Sequence, residues 1–210
     1  MKPQEIEDLS FKIIAEEAGD HGFSDAEWPI ARRVIHTSAD FEYVESLRFH
    51  PEAIERGIAA IRGGKPIFTD TNMALSGIRK MEVGSFGGSV TCLVADPEVA
   101  ATAKAGGITR AKAAVDAVAD RLDGAIYAVG NAPTALLRLL ELVREGRIKP
   151  ALIVGFPVGF VNAAESKAEL LETPGVPYIT NVGRKGGSNV AAAAVNALAI
   201  MASAEGVQKR

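Results

Sequence analysis

The stretch "AIYAVGNAPTALLRLLELVREGRIKPALIVG", residues 125–155, decides the fold. It contains two short, continuously apolar runs, 125–129 and 151–155, on either side of a segment whose leucines recur at helical spacing. Apolar runs of this kind are typical of strands that are covered by helices on both faces, as in a parallel sheet. The stretch therefore predicts a strand, a helix and a second, parallel strand.

The same alternation continues on both sides of this stretch. Further strands are predicted at 66–70, 89–96 and 177–181, and further helices at 109–122, 163–172 and 187–202. Runs of strands alternating with helices are typical of α/β folds. The loops after the strands are rich in glycine and asparagine, and in such folds ligands bind at the carboxyl ends of the strands. Glycine is also what an ordinary α/β turn requires, so both interpretations of these loops stay open.

The first sixty residues differ, because they are predicted to form helices. The first helix ends at Gly19, the second opens with the capping box "SDAE" at 24–27, and the third runs from Pro51 to Gly63. No Pro- or Ser-rich linker divides the chain. We therefore predict one domain over residues 1–210, a three-layer α/β/α domain with a mostly parallel central sheet and an N-terminal helical segment.

The composition limits the classes of partner. The net charge of −3 and the pI near 5.7 argue against general attraction to nucleic acid or to an anionic membrane surface. No apolar run approaches the roughly 20 residues that a membrane helix requires, and the acidic N-terminal segment is unlike a signal peptide. The single cysteine, Cys92, is predicted to lie in the core and indicates a reducing, cytoplasmic compartment.

The sequence lacks the motifs of several classes of binding site. The sequence has no G-x-G-x-x-G and no G-x-x-x-x-G-K-[ST], so the usual phosphate cradles are missing. Its three histidines, His21, His36 and His50, do not have metal-ligand spacing, so no metal site is expected. What remains is a proton-handling enzyme without a bound cofactor, or a binding protein.

His36, in "RRVIHTSAD" at 32–40, is the candidate proton-handling group. At 100° per residue it points away from the apolar face formed by Val34 and Ile35, on the same side as Arg32 and Arg33. It is therefore not predicted to be a core histidine. The alternative is a solvated histidine near a helix C-terminus, where a positive charge is modestly favourable.

Basic residues occur where helices begin. Arg110 falls in the first turn of its predicted helix, and Arg184 and Lys185 directly precede the last one. Cations oppose the helix dipole at an N-terminus, by about 0.3–1 kcal/mol each when exposed. Together with Arg33, these separated basic positions indicate a large ligand with several negative groups. A solvated surface remains the alternative.

Five motifs carry a resemblance to a known family. They are "RRVIHTSADFE", "TDTNMALSGI", "YAVGNAPTALLRLLE", "ALIVGFPVGFVNAAESK" and "GRKGGSNVAAAAVNAL". Together they resemble the precorrin-8X methylmutases of cobalamin biosynthesis, over essentially the whole chain. The resemblance implies an isomerase that moves a methyl group from C11 to C12 of a polycarboxylated tetrapyrrole, giving hydrogenobyrinic or cobyrinic acid. It also implies that no redox cofactor is used and that the enzyme is a homodimer with its site at the subunit boundary.

The resemblance also implies roles for particular residues. His36 matches the catalytic proton donor and acceptor, and Ser10 and Arg110 match substrate-contacting residues. Arg33, Asn131 and Arg184 are assigned to substrate binding by their loop or helix-end positions and by membership of the motifs. Asn131 has an alternative role as the N-cap of the helix behind Pro133.

Two other functions stay open at the level of sequence. One is a non-catalytic carrier of corrinoid intermediates, which would bind the same ligand without converting it. The other is a nucleotide-sugar or phosphosugar enzyme, against which the missing phosphate loop counts. Cobalt, if present, would be carried within the substrate, because the ring and not the protein would hold it.

Overall fold

Six strands form one sheet in the computed structural model, which describes residues 1–207. They are β1 (Leu47–Phe49), β2 (Ile67–Thr69), β3 (Val90–Cys92), β4 (Ile126–Val129), β5 (Leu152–Gly155) and β6 (Tyr178–Asn181). Their order across the sheet is β1-β6-β5-β4-β2-β3. All neighbouring pairs are parallel except β1 with β6. The predicted mostly parallel sheet is confirmed.

Eleven α-helices surround the sheet in this described part of the chain. They are α1 (Pro3–Ala18), α2 (Trp28–Ser38), α3 (Glu42–Ser46), α4 (Ala53–Arg62), α5 (Asn72–Gly77), α6 (Lys80–Gly84), α7 (Pro97–Gly106), α8 (Arg110–Asp116), α9 (Pro133–Arg144), α10 (Ala163–Glu172) and α11 (Ser188–Val207). No helix within residues 1–207 is long and apolar enough to cross a membrane.

The core lies on both faces of the sheet. Successive side chains of β4 alternate between the faces: Ile126 and Ala128 join a cluster with α2, α4 and α11, and Tyr127 and Val129 join one with α8, α9 and α10. All four side chains are buried, which explains why the strand reads as a continuous apolar run. The predicted three-layer α/β/α arrangement is confirmed.

Several elements differ from the sequence-based prediction. β1 is an antiparallel edge strand that was not predicted, because its three residues include the exposed Arg48 and form no apolar run. The strand expected at 89–96 is confined to 90–92, and the helix expected at 109–122 ends at Asp116, before a 3₁₀ turn at Ala119–Arg121. α7 was also missed, although Asp96 accepts hydrogen bonds at its start, a signal that was present in the sequence.

Cys92 of β3 and three apolar residues of α1 lie outside the core. Cys92 is half-buried at the end of β3, so the prediction that it is a core residue was wrong. On α1, Ile14 is buried, but Ile6, Leu9 and Ile13 are 53%, 46% and 44% exposed. These three side chains recur on one side of the helix and form an apolar stripe that the described residues leave about half exposed.

Candidate active site

His36 lies in the last turn of α2, with its side chain exposed. A pocket of about 220 Å³ lies beside it, where α2, α5 and α11 meet. Its lining residues are Arg33, His36, Thr37, Gly77, Asn189, Ala192, Ala193 and Asn196. The histidine is therefore next to a concave site and is not simply one of many groups on a convex helix surface.

Phe11 of α1 links His36 to the two arginines of the same motif. Its ring meets the imidazole of His36 edge-on, with 5.3 Å between ring centroids. The guanidinium carbon of Arg32 lies 4.1 Å from the ring centroid and that of Arg33 lies 5.1 Å from it. Sequence reasoning assigned Phe11 no role, because the contact joins two helices and no spacing on α1 alone indicates it.

The two arginines differ in their partners. Arg33 forms an ion pair with Glu7 of α1, with 2.9 Å between nitrogen and oxygen. Arg32 has a buried Nε without a hydrogen-bond partner. Burial, with the adjacent charge of Arg33, lowers the pKa of Arg32 from its ordinary value. Because Arg33 is already paired with Glu7, a carboxylate ligand would compete with Glu7 for the guanidinium of Arg33.

Ser10 lies on the same helix as Phe11, one residue earlier. Its hydroxyl donates to the carbonyl oxygen of Ile6 at 2.8 Å, within α1. The hydroxyl oxygen keeps its capacity to accept a hydrogen bond from a ligand. Ser10, Arg33 and His36 thus lie on two adjoining helices, α1 and α2.

Asp70, at the end of β2, organises the loop that carries Asn131. Its carboxylate accepts hydrogen bonds from the backbone N–H groups of Gly130, Asn131 and Ala132, at 2.7, 2.9 and 2.6 Å. Burial raises the pKa of Asp70, and the three amides act in the opposite direction. The carboxylate thus fixes the backbone of residues 130–132, directly before α9.

The alternative role of Asn131 as the N-cap of α9 is wrong. The N-cap position of α9 is Ala132, and no side chain of the capping residue forms a cap hydrogen bond there. The side chain of Asn131 is exposed at the carboxyl edge of the sheet, where it is available to a ligand. Asp70 was missed by sequence reasoning, because its partners are sixty residues away in the chain.

The loop after β4 also touches the start of α11. A Cβ atom added to Gly130 would lie 2.6 Å from the Cα of Ser188, so no larger residue fits without a shift of the backbone. The Ser188 hydroxyl in turn shares a 2.7 Å hydrogen bond with the hydroxyl of Thr71, just after β2. The ends of β2 and β4 and the beginning of α11 therefore form one rigid junction.

Arg110 is the first residue of α8 and is exposed. The preceding Thr109 accepts a hydrogen bond from the Lys112 amide and shares another, of 2.8 Å, with the hydroxyl of Thr134 in the first turn of α9. The start of α8 is thereby fixed at the same edge of the sheet as Asn131. Within the described residues, Arg110 forms no ion pair with the protein.

Arg184 lies in the loop 182–187 between β6 and α11. Its guanidinium carbon is 5.7 Å from the centroid of the Phe160 ring, and its carbonyl oxygen accepts from the Gly159 amide at 3.2 Å. The loop thus rests on the segment after β5. Neither Arg110 nor Arg184 lines the pocket beside His36, so the predicted site is divided between that pocket and the carboxyl edge of the sheet.

Two contacts join these parts. The ammonium of Lys185 lies 2.5 Å from carboxylate oxygens of both Asp40 and Glu42, just beyond α2. The side-chain amide of Asn189, in the first turn of α11, donates to the carbonyl oxygen of Thr37 at 3.3 Å. Asp40 is therefore paired with Lys185. The end of the His36 helix is held against the loop that carries Arg184.

Comparison with known proteins gives these contacts a context. The precorrin-8X methylmutase family matches residues 5–201. The chain belongs to this family. It is 49% identical to the cobalt-precorrin-8 methylmutase of Priestia megaterium, covering all of this chain and 95% of that protein. It is 43% identical to a precorrin-8X methylmutase of Sinorhizobium sp., covering 92% of each.

Two solved structures have the same fold as this chain. The chain superimposes on a precorrin-8X methylmutase from Thermus thermophilus with a TM-score of 0.90 and 49% identity, over 97% of this chain and 98% of that one. A precorrin-8X methylmutase related protein matches with a TM-score of 0.82 and 30% identity, over 91% of this chain and 99% of the other. The recognition made from the five motifs is confirmed.

Membership of the precorrin-8X methylmutase family confirms that the chain is an enzyme. Methylmutases are isomerases of cobalamin biosynthesis, and the similarity spans nearly the full length of the relatives. Neither the carrier nor the phosphosugar alternative is favoured by these similarities. The roles of the individual site residues stay predictions.

Proposed function

We propose that this chain moves a methyl group from C11 to C12 of precorrin-8 or cobalt-precorrin-8, giving hydrogenobyrinic or cobyrinic acid. The observation that carries the proposal is the position of His36: an exposed imidazole beside a pocket, on a chain that matches methylmutases over its whole length. The proposed setting is a reducing, cytoplasmic compartment, in keeping with one unpaired cysteine.

His36 is the proposed proton donor and acceptor. A methyl shift around a conjugated ring needs neither an attacking nucleophile nor a transferred electron, so the enzyme must hold the macrocycle and move one proton. General acid–base catalysis of this kind contributes about 10²–10⁴ in rate. The edge contact with Phe11 restricts the imidazole ring to one side, and such restriction favours a single productive geometry. The proposal therefore needs no redox cofactor. Cobalt belongs to the substrate where it occurs.

The basic residues are the proposed receptors for the carboxylates of the substrate. Charge-assisted bonds from Arg33, Arg110 and Arg184 to peripheral carboxylates, with polar contacts from Ser10 and Asn131, would fix the ring in one orientation. Arg110 suits this role because, within residues 1–207, it has no ionic partner in the protein. Arg33 would exchange Glu7 for a substrate carboxylate.

A second copy of the chain would complete the site. The pocket beside His36, of about 220 Å³, is below the roughly 300–1,000 Å³ of ordinary small-molecule sites, and a corrin is larger than most such ligands. The exposed stripe of Ile6, Leu9 and Ile13 lies on α1, the helix that supplies Ser10 and Phe11. An exposed apolar stripe of this kind is suited to contact with a partner subunit, and it supports the proposed homodimer with the site at the boundary.

Turnover by the purified protein tests this function. We expect a sub-stoichiometric amount of enzyme to convert precorrin-8, followed by its absorbance spectrum. The His36→Ala variant should still bind the substrate but should lose about 10²–10⁴ of the rate. The matched control is His50→Ala, since His50 lies outside the pocket and contacts Tyr178.

The outcome separates an enzyme from a carrier. Tight binding without turnover by the unaltered protein would contradict the isomerase and favour the carrier. Unchanged turnover by His36→Ala would leave an isomerase but remove His36 from its mechanism.

A further inference from the structure

Lys167 of α10 has a fully buried side chain with no carboxylate partner within the described chain. Its Nζ donates to the side-chain oxygen of Asn181 at 3.1 Å and to the carbonyl oxygen of Lys185 at 2.5 Å. Burial lowers the pKa of Lys167 to about 8. Below pH 8 the group is mainly an ammonium with three N–H donors, and Asn181 and Lys185 accept two of them.

Both acceptors belong to the segment that carries Arg184. The side-chain amide of Asn181 also donates to the carbonyl oxygens of Val182 and Lys185, at 3.1 and 3.0 Å. The carbonyl oxygen of Lys185 therefore receives two hydrogen bonds from the protein interior. The conformation of loop 182–187 depends directly on Lys167 and Asn181.

The loop is packed closely on its other side as well. The Gly187 amide donates to the carbonyl oxygen of Phe156 at 2.9 Å. A Cβ atom added to Gly186 would come within 2.6 Å of the carbonyl oxygen of Pro157, so the loop backbone lies directly on the backbone that follows β5. With the ammonium of Lys185 bound to Asp40 and Glu42, the loop bridges α10 and the end of α2.

Filling space in the core does not by itself explain a lysine at this position. Burying an amine without a counter-charge is unfavourable, and a hydrophobic side chain of similar length would fill the same space without that penalty. A hydrophobic residue could not hold two carbonyl-type oxygens, however, and the loop would lose its internal attachment. The choice of lysine therefore indicates that the shape of the loop matters more than stability at this point.

We propose that Lys167 is a positioning residue. It fixes the conformation of loop 182–187 and thereby the distance and orientation of Arg184 relative to His36. The inference rests on the proposed function for the role of Arg184 as a substrate receptor. Lys167 itself does not touch substrate, because its side chain is buried. It acts through the carbonyl group of Lys185 and the amide of Asn181.

The first test needs no substrate. In Lys167→Met the two hydrogen bonds are lost, and at about 0.5–1.5 kcal/mol for each bond amide hydrogen exchange in 182–187 should become roughly tenfold faster or more. The melting temperature at pH 7 should stay the same or rise, since a buried amine has been removed. The control is Glu169→Gln on the exposed side of α10, where Glu169 pairs with Arg144. Unchanged exchange in the loop of Lys167→Met would overturn the proposal.

The second test uses kinetics. Lys167→Met should raise the KM for precorrin-8 severalfold with a smaller change in kcat, and it should have no further effect in an Arg184→Gln background. Multiplied effects on KM in the double variant would show that Lys167 does not act through Arg184, which would refute this step. If Lys167→Met does not fold, Lys167→Leu also removes both hydrogen bonds while keeping an apolar side chain, and the same two readouts apply.

The two proposals fail in different ways. If the protein converts no precorrin-8, the proposed function fails but the exchange result still decides whether Lys167 holds the loop. If turnover is normal and exchange is unaffected in Lys167→Met, only the positioning role fails.

Discussion

The buried amine of Lys167 makes a specific prediction about stability and pH. Its pKa falls from 10.5 to about 8 on folding, because burial disfavours the ammonium form. At about 1.36 kcal/mol per pKa unit, that difference corresponds to roughly 3 kcal/mol. The folded protein carries this penalty in full below pH 8, loses it progressively between pH 8 and 10.5, and is free of it above.

The assay compares Lys167→Met with the unaltered chain by urea unfolding at pH 7, 8, 9 and 10. Other titrating groups are common to both proteins, so their contributions cancel in the difference. We expect the unaltered chain to gain roughly 2–3 kcal/mol relative to the variant between pH 7 and 10. The Glu169→Gln variant should show no such trend. A difference that stays flat over this range would refute the reasoning, because it would mean that Lys167 keeps its ordinary pKa in the folded protein.

Three further predictions concern the subunit contact and the rigid junction at the carboxyl edge. Leu9→Glu should convert a dimer to a monomer in sedimentation velocity, because it places a charge in the exposed apolar stripe of α1. Gly130→Ala should lower the free energy of unfolding by about 1–3 kcal/mol, since its Cβ would collide with the backbone of Ser188. Asp70→Ala should lower it by about 3 kcal/mol or more in urea unfolding, because three backbone N–H groups lose their acceptor at about 1–3 kcal/mol each.

Each of these has a matched comparison in the chain. Ala105→Glu adds the same charge at an exposed position of α7 and should leave the dimer intact. Gly84→Ala adds a Cβ where no atom lies within 4 Å and should be close to neutral. Asp96→Ala removes an ordinary N-cap and should cost only about 1 kcal/mol. A monomeric unaltered chain, a neutral Gly130→Ala or an Asp70→Ala no worse than Asp96→Ala would contradict the corresponding argument.

The position of His36 was predictable because it depends on one helix. The apolar spacing of α2 places Val34 and Ile35 in the core, where both are buried, and leaves His36 on the opposite side, where it is exposed. Which elements surround it was not predictable. Phe11 and Asn189 come from α1 and α11, and no local pattern brings either of them to the imidazole.

The roles of Asp70 and Lys167 illustrate the same limit. Each is a charged residue whose partners lie in other elements. Asp70 binds backbone N–H groups after β4, and Lys167 binds the side chain of Asn181 and the carbonyl group of Lys185. Burial of such a residue can be recognised only when those elements are placed around it. Asn131 shows the reverse: its spacing before Pro133 suggested an N-cap, but the N-cap position of α9 belongs to Ala132. The backbone amide of Asn131 instead donates to the carboxylate of Asp70.

The sequence by itself determined the alternation of strands and helices, the parallel sheet, the exposed side of α2 and the family. These follow from the period of apolar residues and from local motifs, which act over a few neighbouring residues. The edge strand β1, the exposed stripe on α1, the pocket beside His36 and the buried partners of Lys167 were decided only by the tertiary structure. They depend on which surfaces meet. The burial of a residue and its hydrogen-bond partners are defined only once distant segments are packed together.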